Sequence, residues 1–132
     1  MFDHVNWLAV LGAAIAAFAI GAIWYGPLFG RRWAGLIGLR PEQLRSPTVP
    51  LAVSFVMSIV SATALAAIVT PFAKDAATAA FVGALVWVAS GLVLKLNDLM
   101  YGNRPVGLFY VDSIHHLVTL VVMAMIVSAF RV

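Results

Sequence analysis

The chain has 132 residues, of which 64% are apolar and 10% charged, with a net charge of +3. A soluble domain is roughly 45–50% apolar, and five acids with eight bases cannot cover the surface a chain of this size exposes, so the remainder must face lipid. Three excess charges do not make a nucleic-acid-binding surface, and the lack of cysteine excludes disulfides, thiolate ligation and thiol nucleophiles.

Four stretches contain no Lys, Arg, Asp or Glu: 5–30, 46–73, 76–94 and 113–130. A helix needs about 20 mostly apolar residues to cross the hydrocarbon core. The expected fold is therefore all-α, an integral membrane four-helix bundle forming a single transmembrane domain over 1–132. Its spans are expected near 5–25, 51–70, 77–96 and 106–130, with a basic interfacial loop at 27–50. The half-length alternating segments of a β-barrel do not recur.

The first span holds Ala17-Phe18-Ala19, which resembles a signal-peptide cleavage site. The residues before the span carry Asp3 and no Lys or Arg, whereas a signal peptide needs a basic leading segment, so a mature helix is expected. Ala13, Ala17 and Gly21 form a ridge of small side chains at four-residue spacing, suited to close packing within the chain or between copies of it. Assembly as a homo-oligomer is expected. Gly26 and Pro27 are expected to end the helix, because proline removes a donor and disfavours a helical residue before it. The next segment mixes Leu28, Phe29, Trp33 and Leu36 with Arg31, Arg32, Arg40 and Arg45, which suits the headgroup region. Trp24, Tyr25, Arg31, Arg32 and Trp33 form a candidate lipid contact there, read either as an anionic-lipid site or as arginines snorkelling over an aromatic belt.

In the second span Ser54, Ser58, Ala62 and Ala66 repeat the small-residue spacing. The third has Gly83 and Gly91 two turns apart with Trp87 between them, a further packing seam. At its end Lys95 and Asp98 stand at i, i+3 and are expected to pair locally, beside Asn97. Gly102-Asn103-Arg104-Pro105 then breaks the chain.

Along the last span, at about 100° per residue, Asp112, His115, His116, Thr119 and Met123 share one arc. With a rise of 1.5 Å per residue from residue 106, Asp112 lies about 9 Å and His116 about 15 Å along the helix. An intramembrane carboxylate with imidazoles faces protein, water or an ion rather than lipid. His115 and His116, at i+3 and i+4, are its expected partners, and Asn97 and Asp98 are expected near the same membrane face.

Basic residues set the orientation. Arg31, Arg32, Arg40, Arg45, Lys95 and Arg104 fall on one side of a four-span chain and Lys74 and Arg131 on the other, which places both termini extracytoplasmic.

WYGPLFG at 24–30, Leu96-Asn97-Asp98 ahead of a Gly/Pro loop, and a last helix opening with Asp112 together resemble a family of small bacterial four-helix membrane proteins catalogued as domain of unknown function 1761. The resemblance extends over nearly the whole chain, and WYGPLFG is its most specific part. It implies a stand-alone multi-pass membrane domain, expected in the bacterial inner membrane, and it carries no assigned reaction.

Three uses of the polar stripe remain open. It lines a proton, ion or small-solute path in a transporter or channel component; it is interhelical polar glue in a membrane scaffold or assembly protein; or Asp112 and His116, one turn apart, join ligands from elsewhere in a metal site. Adjacent histidines diverge by about 100°, so both cannot readily serve one ion from one helix. No HExxH or paired-carboxylate signature points to an enzyme, and no motif implies a cofactor.

Overall fold

Asn6 starts the first helix, its side-chain oxygen accepting from the backbone N–H groups of Leu8 and Ala9 at 3.0 and 3.4 Å. The computed structural model describes residues 2–3, 5–38 and 48–130. In order, the elements are α1 (Trp7–Ile23), which continues into a π-helical segment (Trp24–Leu28); α2 (Gly30–Ile37); α3 (Thr48–Val69); α4 (Ala76–Val86), which runs through a second π-helical segment (Trp87–Leu92) into α5 (Val93–Tyr101); and α6 (Val106–Ala129). Arg40, Arg45 and Arg131 lie outside the described residues, as does the expected interfacial loop beyond Gly38.

Four helical stretches are long and apolar enough to cross a membrane: Trp7–Leu28, Val49–Val69, Ala76–Tyr101 and Val106–Ala129. They correspond to the four expected spans, with two corrections at their ends. Pro27 does not end the first helix. In an α-helix its ring would collide with the carbonyl one turn back; the wider π turn absorbs that conflict, and the N–H of Phe29 reaches back five residues to the Trp24 carbonyl at 2.8 Å. The third span also continues past residue 96, so Asn97 and Asp98 sit on helix rather than after it.

The interior is built on α6, which is 44% buried against 17–28% for the other spans, so each neighbour finds its place against it. It packs on α1, α3 and α4, while α1 also packs on α3. Small residues permit this. Ala13, Ala14, Ala62, Ala79 and Ala124 are fully buried, and they form the core with Val10, Ala17, Leu65, Ala66, Val69, Leu120, Met123 and Val127. A Cβ added to Gly83 would meet the Leu120 carbonyl oxygen and the Ala124 Cβ, each at 3.0 Å, so α4 and α6 touch nearly backbone to backbone.

The Ala13, Ala17 and Gly21 ridge thus packs inside the chain. On α3 the expected small face divides: Ala62 and Ala66 are buried, whereas Ser54 is exposed, Ser58 donates to the Ser54 carbonyl at 2.9 Å, and none of residues 49–61 is buried. Two hydrogen bonds fasten the Asn6 end. Asn6 Nδ2 donates to the Phe130 carbonyl at 2.6 Å, and Ser128 Oγ to the Ala73 carbonyl at 3.2 Å.

Candidate functional site

Asp112 lies two turns into α6, with its side chain 19% exposed. Burying a carboxylate without a partner would cost several kcal/mol or force it to take up a proton, at roughly the scale known for isolated charges in apolar surroundings. Its partners come from other helices. The Tyr25 hydroxyl donates to Oδ1 at 2.6 Å, and the Lys95 ammonium stands 3.9 Å from Oδ2.

This corrects two expectations. The hydrogen-bond and ion-pair partners of Asp112 are Tyr25 and Lys95, not the histidines of its own helix. Lys95 in turn does not pair with Asp98, whose Oδ2 is 3.8 Å from Arg104 Nε. The reason is rotational. Side chains three and four apart on one helix point along it, but α5, packed on α6, and the first π segment, bonded to α6 through Trp24 and Tyr25, bring a cation and a phenol to the carboxylate.

The two histidines diverge as their 100° separation requires. His115 turns towards the first span. Its ring lies 4.9 Å from Tyr25 and 5.9 Å from Trp24 by centroid, its Nε2 is 3.4 Å from Thr119 Oγ1, and a Cβ on Gly21 would be 3.6 Å from that nitrogen. His116 turns towards the third span and occupies the space that a side chain at Gly91 would need: an added Cβ there would meet its Cε1 at 2.8 Å and Trp87 Cδ1 at 3.0 Å. Each imidazole is thus seated where a neighbouring helix has a glycine.

Two tryptophans close the arrangement symmetrically. Trp24, which opens the first π segment, donates its indole N–H to the Val111 carbonyl at 3.0 Å, and Trp87, which opens the second, donates to the Ser113 carbonyl at 3.0 Å. An indole N–H in lipid needs an acceptor, and π turns shift side-chain register by about a residue. Trp87, alone at mid-span, carried a signal that could have identified it; Trp24 was masked by its place in an aromatic belt.

The expected lipid-contact residues therefore divide. Arg31 and Arg32 are exposed on α2, while Tyr25 and Trp24 are turned onto α6, and Trp33 is half-buried with its ring 5.4 Å from Tyr25. Asn97 is exposed. Thr119 is buried beneath His115. Beside Asp112 a cleft of about 10 Å³, the space of about one water, is lined by Lys95, Asp98, Leu99, Arg104, Leu108, Phe109 and Asp112. Among the described residues no group of three or more His, Asp or Glu side chains comes together as a metal site would require, and Asp112 and His116 face different neighbours. The Ser113 hydroxyl is buried with no hydrogen-bond partner among the described residues.

Residues 8–128 match a family described as "Protein of unknown function (DUF1761)". No curated protein and no solved structure matches the chain.

Proposed function

The chain belongs to the DUF1761 family of membrane proteins of unknown function, and from its own geometry we propose that it serves as a membrane scaffold or assembly protein whose Asp/His stripe joins its helices. One observation carries this reading: the polar side chains of the stripe meet neighbouring spans. Asp112 accepts from Tyr25 and stands beside Lys95, the His115 ring packs on Tyr25 and Trp24 of the first span, and the His116 ring fills the space beside Gly91 of the third. Beyond Thr119, towards the Asn6 end, the core cluster is alanine, valine, leucine and methionine, a composition that favours helix packing over a solute path.

A transporter or channel component is the second reading, favoured by the cleft at Asp112 and by the succession Lys95, Asp112, Tyr25 leading inward from it. The two are separated by Asp112→Asn and Asp112→Leu in vesicles loaded with a pH-sensitive dye, run beside thermal unfolding. For a scaffold, Asn assembles nearly normally, Leu less well, and no variant changes proton flux; wild-type flux that Asn abolishes without loss of folding would overturn the proposal.

Orientation with both termini extracytoplasmic, in a bacterial inner membrane, belongs to the same proposal. Arg31, Arg32, Lys95 and Arg104 share one end of the bundle, opposite Lys74. Because the ridge on α1 is used within the chain, a homo-oligomer would have to form through another surface, and the exposed side of α3 with Leu51, Val53, Val56, Met57 and Val60 offers one.

A further inference from the structure

The cleft at the junction of α5 and α6 has a composition that polar glue does not require. Its rim alternates in charge, with Lys95 and Arg104 against Asp98 and Asp112, and its floor is apolar, formed by Leu99, Leu108 and Phe109. Neither ion pair is closed. At 3.8 and 3.9 Å both exceed the 2.7–2.9 Å of a direct charge-assisted hydrogen bond, which leaves ammonium and guanidinium donors and carboxylate lone pairs available to a third party.

The rim is also held in place. Gly102 N–H bonds the Asp98 carbonyl at 2.9 Å, and a Cβ on Gly102 would strike that oxygen, so only glycine fits. Asn103 adopts a left-handed conformation (φ 52°), and Pro105 fixes the start of α6. This turn sets Arg104 beside Asp98, its Nε 3.8 Å from Oδ2, while leaving the side chain half exposed. Lys95 and Arg104 are 36% and 53% exposed, so both can reach a ligand at the membrane surface.

We infer that this cleft binds a phosphoethanolamine-type zwitterion, as presented by the headgroup of phosphatidylethanolamine. The phosphate lies between Lys95 and Arg104, the primary ammonium donates to Asp98 and Asp112, and the glycerol end rests on Leu99, Leu108 and Phe109. The free volume of about one water means that the headgroup lies across the rim, not in an enclosed pocket. A choline headgroup has no N–H to donate, and an anionic glycerol headgroup meets two carboxylates without a compensating cation of its own, so both fit less well. The inference is independent of the choice between scaffold and transporter.

The test is lipid retention by the purified full-length chain in detergent, read by native mass spectrometry with phosphatidylethanolamine, phosphatidylcholine and phosphatidylglycerol supplied at equal concentration. Phosphatidylethanolamine is expected to be retained in preference to the other two. Asp98→Asn should weaken its retention by roughly tenfold, the loss of one charge-assisted hydrogen bond, while improving that of phosphatidylglycerol. Arg104→Gln should weaken both. Thermal unfolding without added lipid controls for folding, and since both side chains are about half exposed the two variants should unfold close to wild type. A separate arm with soluble phosphoethanolamine assigns the source: displacement of the lipid means that the site reads the zwitterion alone, and failure to displace means that the apolar floor is also needed. Retention of phosphatidylglycerol equal to or above that of phosphatidylethanolamine, or an unchanged ratio of the two in both variants, would overturn the inference.

Discussion

Towards the Asn6 end the helices meet mainly through alanine, glycine and small aliphatic side chains, with two hydrogen bonds at the very end, whereas at the Asp112 end they meet through a phenol, two indoles, two imidazoles and a lysine. Both ends join the first and third spans to α6, so for these the difference lies in what the contact is made of. In lipid there is no hydrophobic gain from bringing apolar helices together, and close van der Waals approach or interhelical hydrogen bonds must supply the attraction. Small residues supply the first and tolerate no added volume. Large polar residues supply the second and lose one bond at a time. The α3 helix follows the division, joining the core through Ala62, Leu65, Ala66 and Val69 and leaving it over residues 49–61.

The comparison is broken most severely at Gly83. Gly83→Leu would drive a side chain into the α6 backbone, where Leu120 O and Val121 Cα already stand 3.0 and 3.2 Å from the position of a Cβ. A loss of about 3 kcal/mol or more is expected, seen as failure to purify as a folded species or as a large fall in the apparent unfolding temperature. Next comes Ala17→Leu, expected to cost roughly 1–3 kcal/mol, against a smaller loss for Ala16→Leu, since Ala17 is buried and Ala16 only half-buried. Equal behaviour of these two variants on a sizing column and in thermal unfolding would remove the close-packed reading of the Asn6 end.

At the Asp112 end, Tyr25→Phe deletes the hydroxyl on Oδ1 and should cost about 1–2 kcal/mol, the range for interhelical hydrogen bonds in membranes. Asp112→Asn in the Tyr25→Phe background should add less than it does alone, because the two share one bond; strict additivity in a double-mutant cycle would mean that the contact contributes nothing. Gly91→Ala should be partly rescued by His116→Ala, whose ring occupies the space concerned.

The smallest expected effect lies at the surface. Asp75 caps α4, accepting from the Thr78 backbone N–H at 2.8 Å and from its hydroxyl at 2.9 Å, and these bonds hold its carboxyl below the ordinary carboxylate range. A carboxyl lowered in the folded state contributes stability above its unfolded value, near about pH 4, and loses it as pH falls through the folded value. A slight drop in unfolding temperature at acid pH is expected, and Asp75→Asn should lack that component of it.

The class and the four spans were legible in the sequence because hydropathy is summed along one segment and needs no partner. So was the inward-facing side of the last helix, since Asp112, His115 and His116 follow its own 3.6-residue period. Which residues answer that face was not legible. Tyr25 read as a belt residue and Lys95 as the local partner of Asp98, although both reach Asp112 across helix boundaries. The π segments at Trp24 and Trp87 change register by an amount that no sequence periodicity reports, and Pro27 read as a helix end because the usual rule assumes an α turn.

Composition and periodicity thus determined by themselves that the protein lives in lipid, how many times it crosses, and which face of its last helix must be hidden. The tertiary structure alone decided what hides that face: Gly21 and Gly91 as seats for two imidazoles, Trp24 and Trp87 as donors to α6 carbonyls, and Tyr25 and Lys95 on the carboxylate. The physical reason is that exclusion from lipid is a property of one side chain and its depth, whereas a hydrogen bond between helices depends on the rotation and offset of two. Those are set by how closely alanines and glycines let the backbones approach.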